Sequence, residues 1–156
     1  GGKGWEFDAT TGQWYYHMFA TQQPDLNWRY PSLRQEMMNI FNFWLDKGVH
    51  GFRLDVFNEY FKDEQLRNNP LKFGIRKFER QRHVYDVDQP EMMGVVEEIR
   101  SILDQYPERY AVGETYMASA ERAVEFTGPS RLNAALPIPK FCCRTLNLPQ
   151  TPMMFT

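Results

Sequence analysis

Two short apolar runs, residues 50–56 and 110–114, each carry a carboxylate near the C-terminal end, Asp55 in the first and Glu114 in the second. A long loop and one helix-patterned stretch separate them. The order strand, crossover, strand makes the two strands parallel. Their C-terminal ends then open on one face, each presenting an acid. Two carboxylates at one mouth point to acid/base or nucleophilic chemistry on a sugar. Arg53 stands two residues before Asp55, on the same side of the first strand, while Phe52 and Leu54 face the other way. A buried arginine is costly without a partner, and Asp55 is the obvious one.

The flanking pattern is β-hairpin, loop, then α-β-α-β-α. Residues 4–19 read as a hairpin, with Trp5, Phe7, Trp14, Tyr16 and Met18 at period two and a turn at 8–12. Pro24 marks an irregular loop over 20–30. A helix is expected from about Pro31 to Lys47, with Leu33, Met37, Ile40, Phe41, Trp44 and Leu45 as its core stripe. Gly48 is placed to end it in a left-handed conformation. Residues 57–89 form a long, charged connection, of a length that is usually functional or holds short helices. A second helix is expected over 90–106, with Asp88 and Glu91 at capping-box spacing and Pro107 as its stop. A third begins at Ala118 and ends by Gly128. The tail from Leu136 holds Pro137, Pro139, Pro149 and Pro152, and no element is assigned to it. Repeating αβ units imply a parallel sheet with helices outside. Two parallel strands do not make a stable sheet alone, so the fold class is α/β, a slice of a larger (β/α)8 barrel.

Composition removes several classes. The 156 residues suffice for one domain with a real core. The net charge of −2, without a basic run, gives no reason to expect nucleic acid or an anionic membrane as partner. No apolar stretch approaches the ~18 residues of a membrane span. The start, Gly-Gly-Lys-Gly-Trp, lacks an initiator Met and a signal-peptide core, so Gly1 reads as a cut point or a processed terminus. The adjacent Cys142 and Cys143 suit neither an ordinary disulfide nor, being two, a structural zinc site. They read as reduced thiols of a cytoplasmic protein. No cofactor or metal is called for.

Barrel enzymes carry their catalytic residues at strand C-termini, where Asp55 and Glu114 fall. Neighbouring strands lie about 4.8 Å apart, and retaining glycosidases hold their carboxyls about 5–5.5 Å apart. Arg53 favours an ionised Asp55, as a nucleophile requires. Glu114 follows Val112 and Gly113, and an apolar setting would keep it protonated, as an acid catalyst requires. Gly113 would admit a ligand or a neighbouring backbone. Each residue also has a plainer reading: Arg53 and Asp55 as a structural ion pair, Glu114 as a solvated strand end. His50 reads as structural, and His17 and His83 as polar surface. Asp86 and Asp88 could bind a cation, although helix capping accounts for Asp88.

The segment Gly51-Phe52-Arg53-Leu54-Asp55-Val56 resembles the strand-four motif of the α-amylase family, glycoside hydrolase family 13. Val112-Gly113-Glu114-Thr115-Tyr116 is similar to its strand-five motif, and Gln23-Pro24-Asp25-Leu26-Asn27 to the segment near the end of its inserted second domain. The Gln-Pro-Asp-Leu-Asn form is typical of the oligo-1,6-glucosidase and α-glucosidase branch. The resemblance implies Asp55 as nucleophile, Glu114 as general acid/base and Arg53 as the arginine that orients the nucleophile and contacts the sugar. It implies substrate contacts for Val56, the residue type linked with α-1,6 bonds, and a position near the +1 subsite for Asn58 and Glu59. Residues 1–30 would be the end of the inserted domain, 31–135 part of the barrel, and 136–156 an unassigned tail. The implied partner is a short α-glucosidic oligosaccharide. The family also needs an Asp and His near strand three and a His-Asp pair after strand seven, which no segment here supplies; the chain by itself is therefore expected to be inactive and poorly folded. Sucrose isomerisation or transglucosylation on the same site, and a non-catalytic amylase-like partner domain, are the alternatives.

Overall fold

The computed structural model describes residues 3–75, 78–116 and 119–138. Strands β1 (Trp5–Asp8) and β2 (Gln13–Tyr16) pair antiparallel, Trp5 against Tyr16 and Phe7 against Trp14. Their turn closes because the Asp8 carboxylate accepts from the Thr10 amide at 3.0 Å and the Thr11 hydroxyl at 2.7 Å. Gly12, at φ +70°, supplies the left-handed residue. Met18 lies beyond β2. His17 is buried rather than on the surface, with Nδ1 3.4 Å from the Phe19 carbonyl oxygen.

Helix α1 (Pro31–Asp46) starts on its proline and stops ahead of Gly48, at φ +88°. Its buried line is Met38, Phe41 and Leu45. The expected stripe was drawn too wide: Ile40 and Trp44 flank that line and stay about half exposed. Strand β3 (Gly51–Leu54) is shorter than the apolar run, and Asp55 and Val56 already belong to the turn after it. The connection that follows contains two short 3-10 turns, Phe57–Glu59 and Phe78–Arg80. Helix α2 (Met92–Leu103) buries Val95, Val96, Ile99 and Leu103. Asp88 does not cap it. Glu91 holds the cap position without a side-chain bond, while Asp88, at φ +55°, accepts from the Asn58 amide nitrogen at 3.1 Å.

Strand β4 (Tyr110–Tyr116) lies parallel to β3, with Arg53 opposite Val112 and Leu54 opposite Gly113. Helix α3 (Ala120–Glu125) is capped by Ser119, whose hydroxyl accepts from the Arg122 amide at 3.2 Å; the expected start at Ala118 lies outside the described residues. The tail does carry an element at its beginning. Strand β5 (Ala134–Ile138) pairs parallel with β4, Glu114 opposite Leu136 and Thr115 opposite Pro137. A proline is compatible with it because, among the described residues, β5 has a neighbour on one side only. Cys142, Cys143 and the later prolines lie outside the described residues.

The sheet order is β3-β4-β5, all parallel, without a closed barrel among the described residues. Phe52, Leu54, Ala111 and Gly113 share the face covered by α1 and α2, where the main core lies. Arg53, Val112 and Glu114 share the opposite face. Among the described residues no helix is long and apolar enough to cross a membrane.

Candidate active site

Continuing the β3–β4 register one step beyond Leu54 and Gly113 sets Asp55 beside Glu114. The Asp55 carboxyl lies close enough to Glu114 to raise its pKa. Arg53 joins them: Nη2 lies 3.0 Å from Asp55 Oδ1 and donates a short bond to Glu114 Oε2. Arg53 is therefore neither buried nor reserved for Asp55. Its side chain is 60% exposed, against 72% for Asp55 and 18% for Glu114. Glu114 is the more enclosed acid and is held above the ordinary carboxylate range. Burial is the main cause and the nearby Asp55 carboxyl adds to it, while the Arg53 guanidinium pulls the other way. Glu114 thus has a cation beside it that no sequence-local signal revealed.

The turn after β3 is held by tertiary contacts. Val56 sits at φ +39°, a left-handed conformation that a β-branched residue adopts only under constraint. The constraint comes from its neighbours. Phe57 is fully buried, stacked edge-on against Phe126 and seated over Gly113, where a Cβ would lie 2.3 Å from its ring. The close approach at Gly113 is thus by the Phe57 and Leu132 side chains, not by a ligand or backbone. Asn58, 1% exposed, donates to Asp88 Oδ1 and the Tyr116 carbonyl and accepts from the Tyr116 amide at 2.9 Å. Its side-chain amide ties the turn to the end of β4. Glu59 is 3% exposed, and neither carboxylate oxygen has a hydrogen-bond partner among the described residues.

A cleft of about 220 Å³ runs from Asp55 and Val56 past Glu59 and Tyr60 to Leu26 and Trp28. Tyr60 stacks on Trp28 at 4.8 Å, with the rings 5° from parallel. The Tyr60 phenol is pushed up to about 12, by burial first and by the Asp55 charge second. Asp25 brings the 23–27 segment to this cleft. It pairs with Lys62 at 3.0 Å and accepts from the Met18 amide. Trp28, Tyr60 and Lys62 escaped sequence reasoning because their partners are remote in the chain. His50 is exposed, and its carbonyl oxygen accepts from the Tyr110 amide. His83 is not a surface residue: it stacks on Phe78 at 3.8 Å and pairs with Asp86 at 3.0 Å. The spacing of His83 and Asp86 was the one available sign of that pair. Burial lowers the His83 pKa, but the bonds to Asp86 and the Phe78 carbonyl outweigh it and leave it raised. Among the described residues no three His, Cys, Asp or Glu side chains are grouped to hold a metal ion.

Parallel strands with outer helices, and two acids held by one arginine at neighbouring strand ends, define a (β/α)-barrel segment with a two-carboxylate site. Residues 1–151 match the family described as alpha amylase, catalytic domain. A probable alpha-glucosidase of Rhizobium meliloti is 37% identical over 138 residues, covering 82% of this chain and 25% of that protein. An oligo-1,6-glucosidase of Parageobacillus thermoglucosidasius is 37% identical over 131 residues, 83% of this chain and 23% of that protein. Among solved structures, the alpha-glucosyl transfer enzyme XgtA superposes with a TM-score of 0.78 at 35% identity, over 86% of this chain and 27% of that one. The chain belongs to the alpha-amylase catalytic-domain family. It spans about a quarter of the length of these relatives. The family domain is a (β/α)8 barrel, of which β3, β4 and β5 are parallel staves.

Proposed function

We propose that the protein carrying this chain is a retaining α-glucosidase acting on short α-glucosidic oligosaccharides. The observation that carries the reading is that Asp55 and Glu114, at the ends of adjacent parallel strands, are both held by the same Arg53 nitrogen. Two carboxyls close enough to share one guanidinium nitrogen suit double displacement rather than inversion, which needs room for a water between them. In the first step an Asp55 oxygen attacks the anomeric carbon as the glycosidic C–O bond breaks, and the Glu114 proton passes to the leaving oxygen. In the second, Glu114 takes a proton from water as that water's oxygen attacks the same carbon and frees Asp55. The raised Glu114 pKa supports the acid role. Arg53 orients the nucleophile. Val56 borders the cleft and is the candidate for linkage preference, with α-1,6 bonds the expected class. Asn58 acts through the turn it anchors. Residues 1–30 are assigned to the end of an inserted domain and 31–135 to the barrel, with β5 extending the barrel portion to 138.

Transfer to a sugar acceptor is the second reading, favoured by the likeness to an enzyme named for glucosyl transfer. Initial rates on isomaltose, maltose and sucrose, with products followed by NMR, test both. Free glucose appearing first as the α-anomer supports the hydrolase. New disaccharide from sucrose in excess of glucose selects transfer, and β-glucose as first product rules out the retaining mechanism.

A further inference from the structure

We propose that a cavity between the hairpin and the long connection after β3 is a second ligand site, apart from the catalytic acids. It would take one uncharged polyol of monosaccharide size, with a hydroxyl donated to His17 Nε2. The cavity holds about 330 Å³, within the ~300–1,000 Å³ of small-ligand sites. Trp5, Tyr16 and His17 line it on one side, and Asp63, Arg67 and Asn69 on the other. It shares only Phe19 and Lys62 with the cleft at Asp55, and neither Asp55 nor Glu114 borders it. His17 is 5% exposed. Its Nδ1 lies 3.4 Å from the Phe19 carbonyl oxygen, which only accepts, so the ring proton belongs on Nδ1. Nε2 then carries a lone pair, and no donor among the described residues meets it. Buried acceptors in native proteins are met by a donor. A molecule held in the cavity that His17 lines would supply one.

The charges around the cavity decide the ligand class, because they are already matched. Arg67 pairs with Asp63 at 2.5 Å, His83 with Asp86 at 3.0 Å, and Lys62 with Asp25 at 3.0 Å. His83 spends its other ring nitrogen on the Phe78 carbonyl oxygen at 2.9 Å. The remaining charged residue of the lining, Lys3, is exposed to water. An anion entering would meet two carboxylates and the His17 lone pair. A cation would meet Lys62, Arg67 and His83, with both carboxylates of the lining already taken. An uncharged ligand avoids both costs. A hydroxyl can donate to Nε2 and accept from a side-chain amide at once. Asn68 and Gln81 bring such amides to the same cavity.

The test is equilibrium dialysis of the whole protein against radiolabelled glucose, counting the glucose bound at saturation. Two variants are compared with the parent. His17→Phe removes the acceptor and keeps a planar ring. Asn68→Trp obstructs the cavity from an exposed position of its lining. The parent is expected to bind one glucose more than Asn68→Trp, the two having the same thermal midpoint without sugar. His17→Phe is expected to weaken that additional site on the order of tenfold, as the loss of one buried hydrogen bond does. Inorganic phosphate and potassium chloride should leave that glucose in place. Equal glucose counts in parent and Asn68→Trp, unweakened binding in His17→Phe, or displacement by phosphate overturns the proposal. Dialysis reads binding and not turnover, so such a failure leaves the hydrolase reading intact. A protein that binds the additional glucose and cleaves no α-glucoside overturns the hydrolase reading alone.

Discussion

Glu114 and Asp55 carry the same functional group in different settings, with side-chain exposures of 18% and 72%, and the proposed division of roles follows that difference. Enclosure keeps Glu114 above the usual range, while openness leaves Asp55 reachable by a sugar. The two acids and Arg53 were legible from strand-end positions alone, because period two fixes which side chains share a face. The bond from Arg53 to Glu114 was not, since it depends on pairing across the sheet. The setting of Glu59 lay still further from view: burial first, then the Asp86 and Asp25 charges, raise its pKa against the opposing pull of Lys62 and His83. That environment has a consequence for stability. Its folded pKa of about 8 exceeds the ordinary 4.5, so the folded state holds a proton that the unfolded chain releases. The associated stability is complete below about 4.5 and is lost as pH rises through about 8. Glu59→Gln cannot ionise, so it should gain on the parent by up to a few kcal/mol between those limits. Thermal midpoints at pH 5 and pH 8.5 check this; a gap between variant and parent that does not widen with pH contradicts it.

At the scale of elements, the turn after β3 links the sheet to the site. Phe57 packs over Gly113, Asn58 ties the turn to the end of β4, and Val56 is left in a strained left-handed conformation beside Asp55. Gly113→Ala would drive a methyl into the Phe57 ring at 2.3 Å and into Leu132 at 2.7 Å. Overpacking of this kind costs about 1–3 kcal/mol. The expected result is a lower denaturation midpoint, accompanied by a fall in kcat because the turn carries Asp55; an unchanged midpoint would show that Phe57 is free to move aside. Helices α1 and α2 and the parallel pair β3–β4 were readable from periodicity and from the crossover rule. Strand β5 was not, because Pro137 and Pro139 argue locally against a strand while its support comes from pairing with β4. The Asp88 cap failed for a related reason, since Asn58 reaches that carboxylate from thirty residues away in the chain.

Across the whole molecule, two assemblies meet at the cleft. Phe19, Asp25, Leu26 and Trp28 form one wall, pinned by Asp25 to Lys62, and the turn after β3 brings Asp55 and Val56 to the other. The exposed carboxyl of Asp55 sits at their junction and shares Arg53 with the enclosed Glu114. The proposed double displacement requires a covalent glucosyl-enzyme intermediate on one defined side chain. The most direct measurement is to trap that intermediate with a fluorinated α-glucosyl fluoride in the whole protein and to map the modified peptide by mass spectrometry. The account predicts a single glucosyl adduct on Asp55, absent in Asp55→Asn. An adduct on any other carboxylate, or turnover retained by Asp55→Asn, would contradict it.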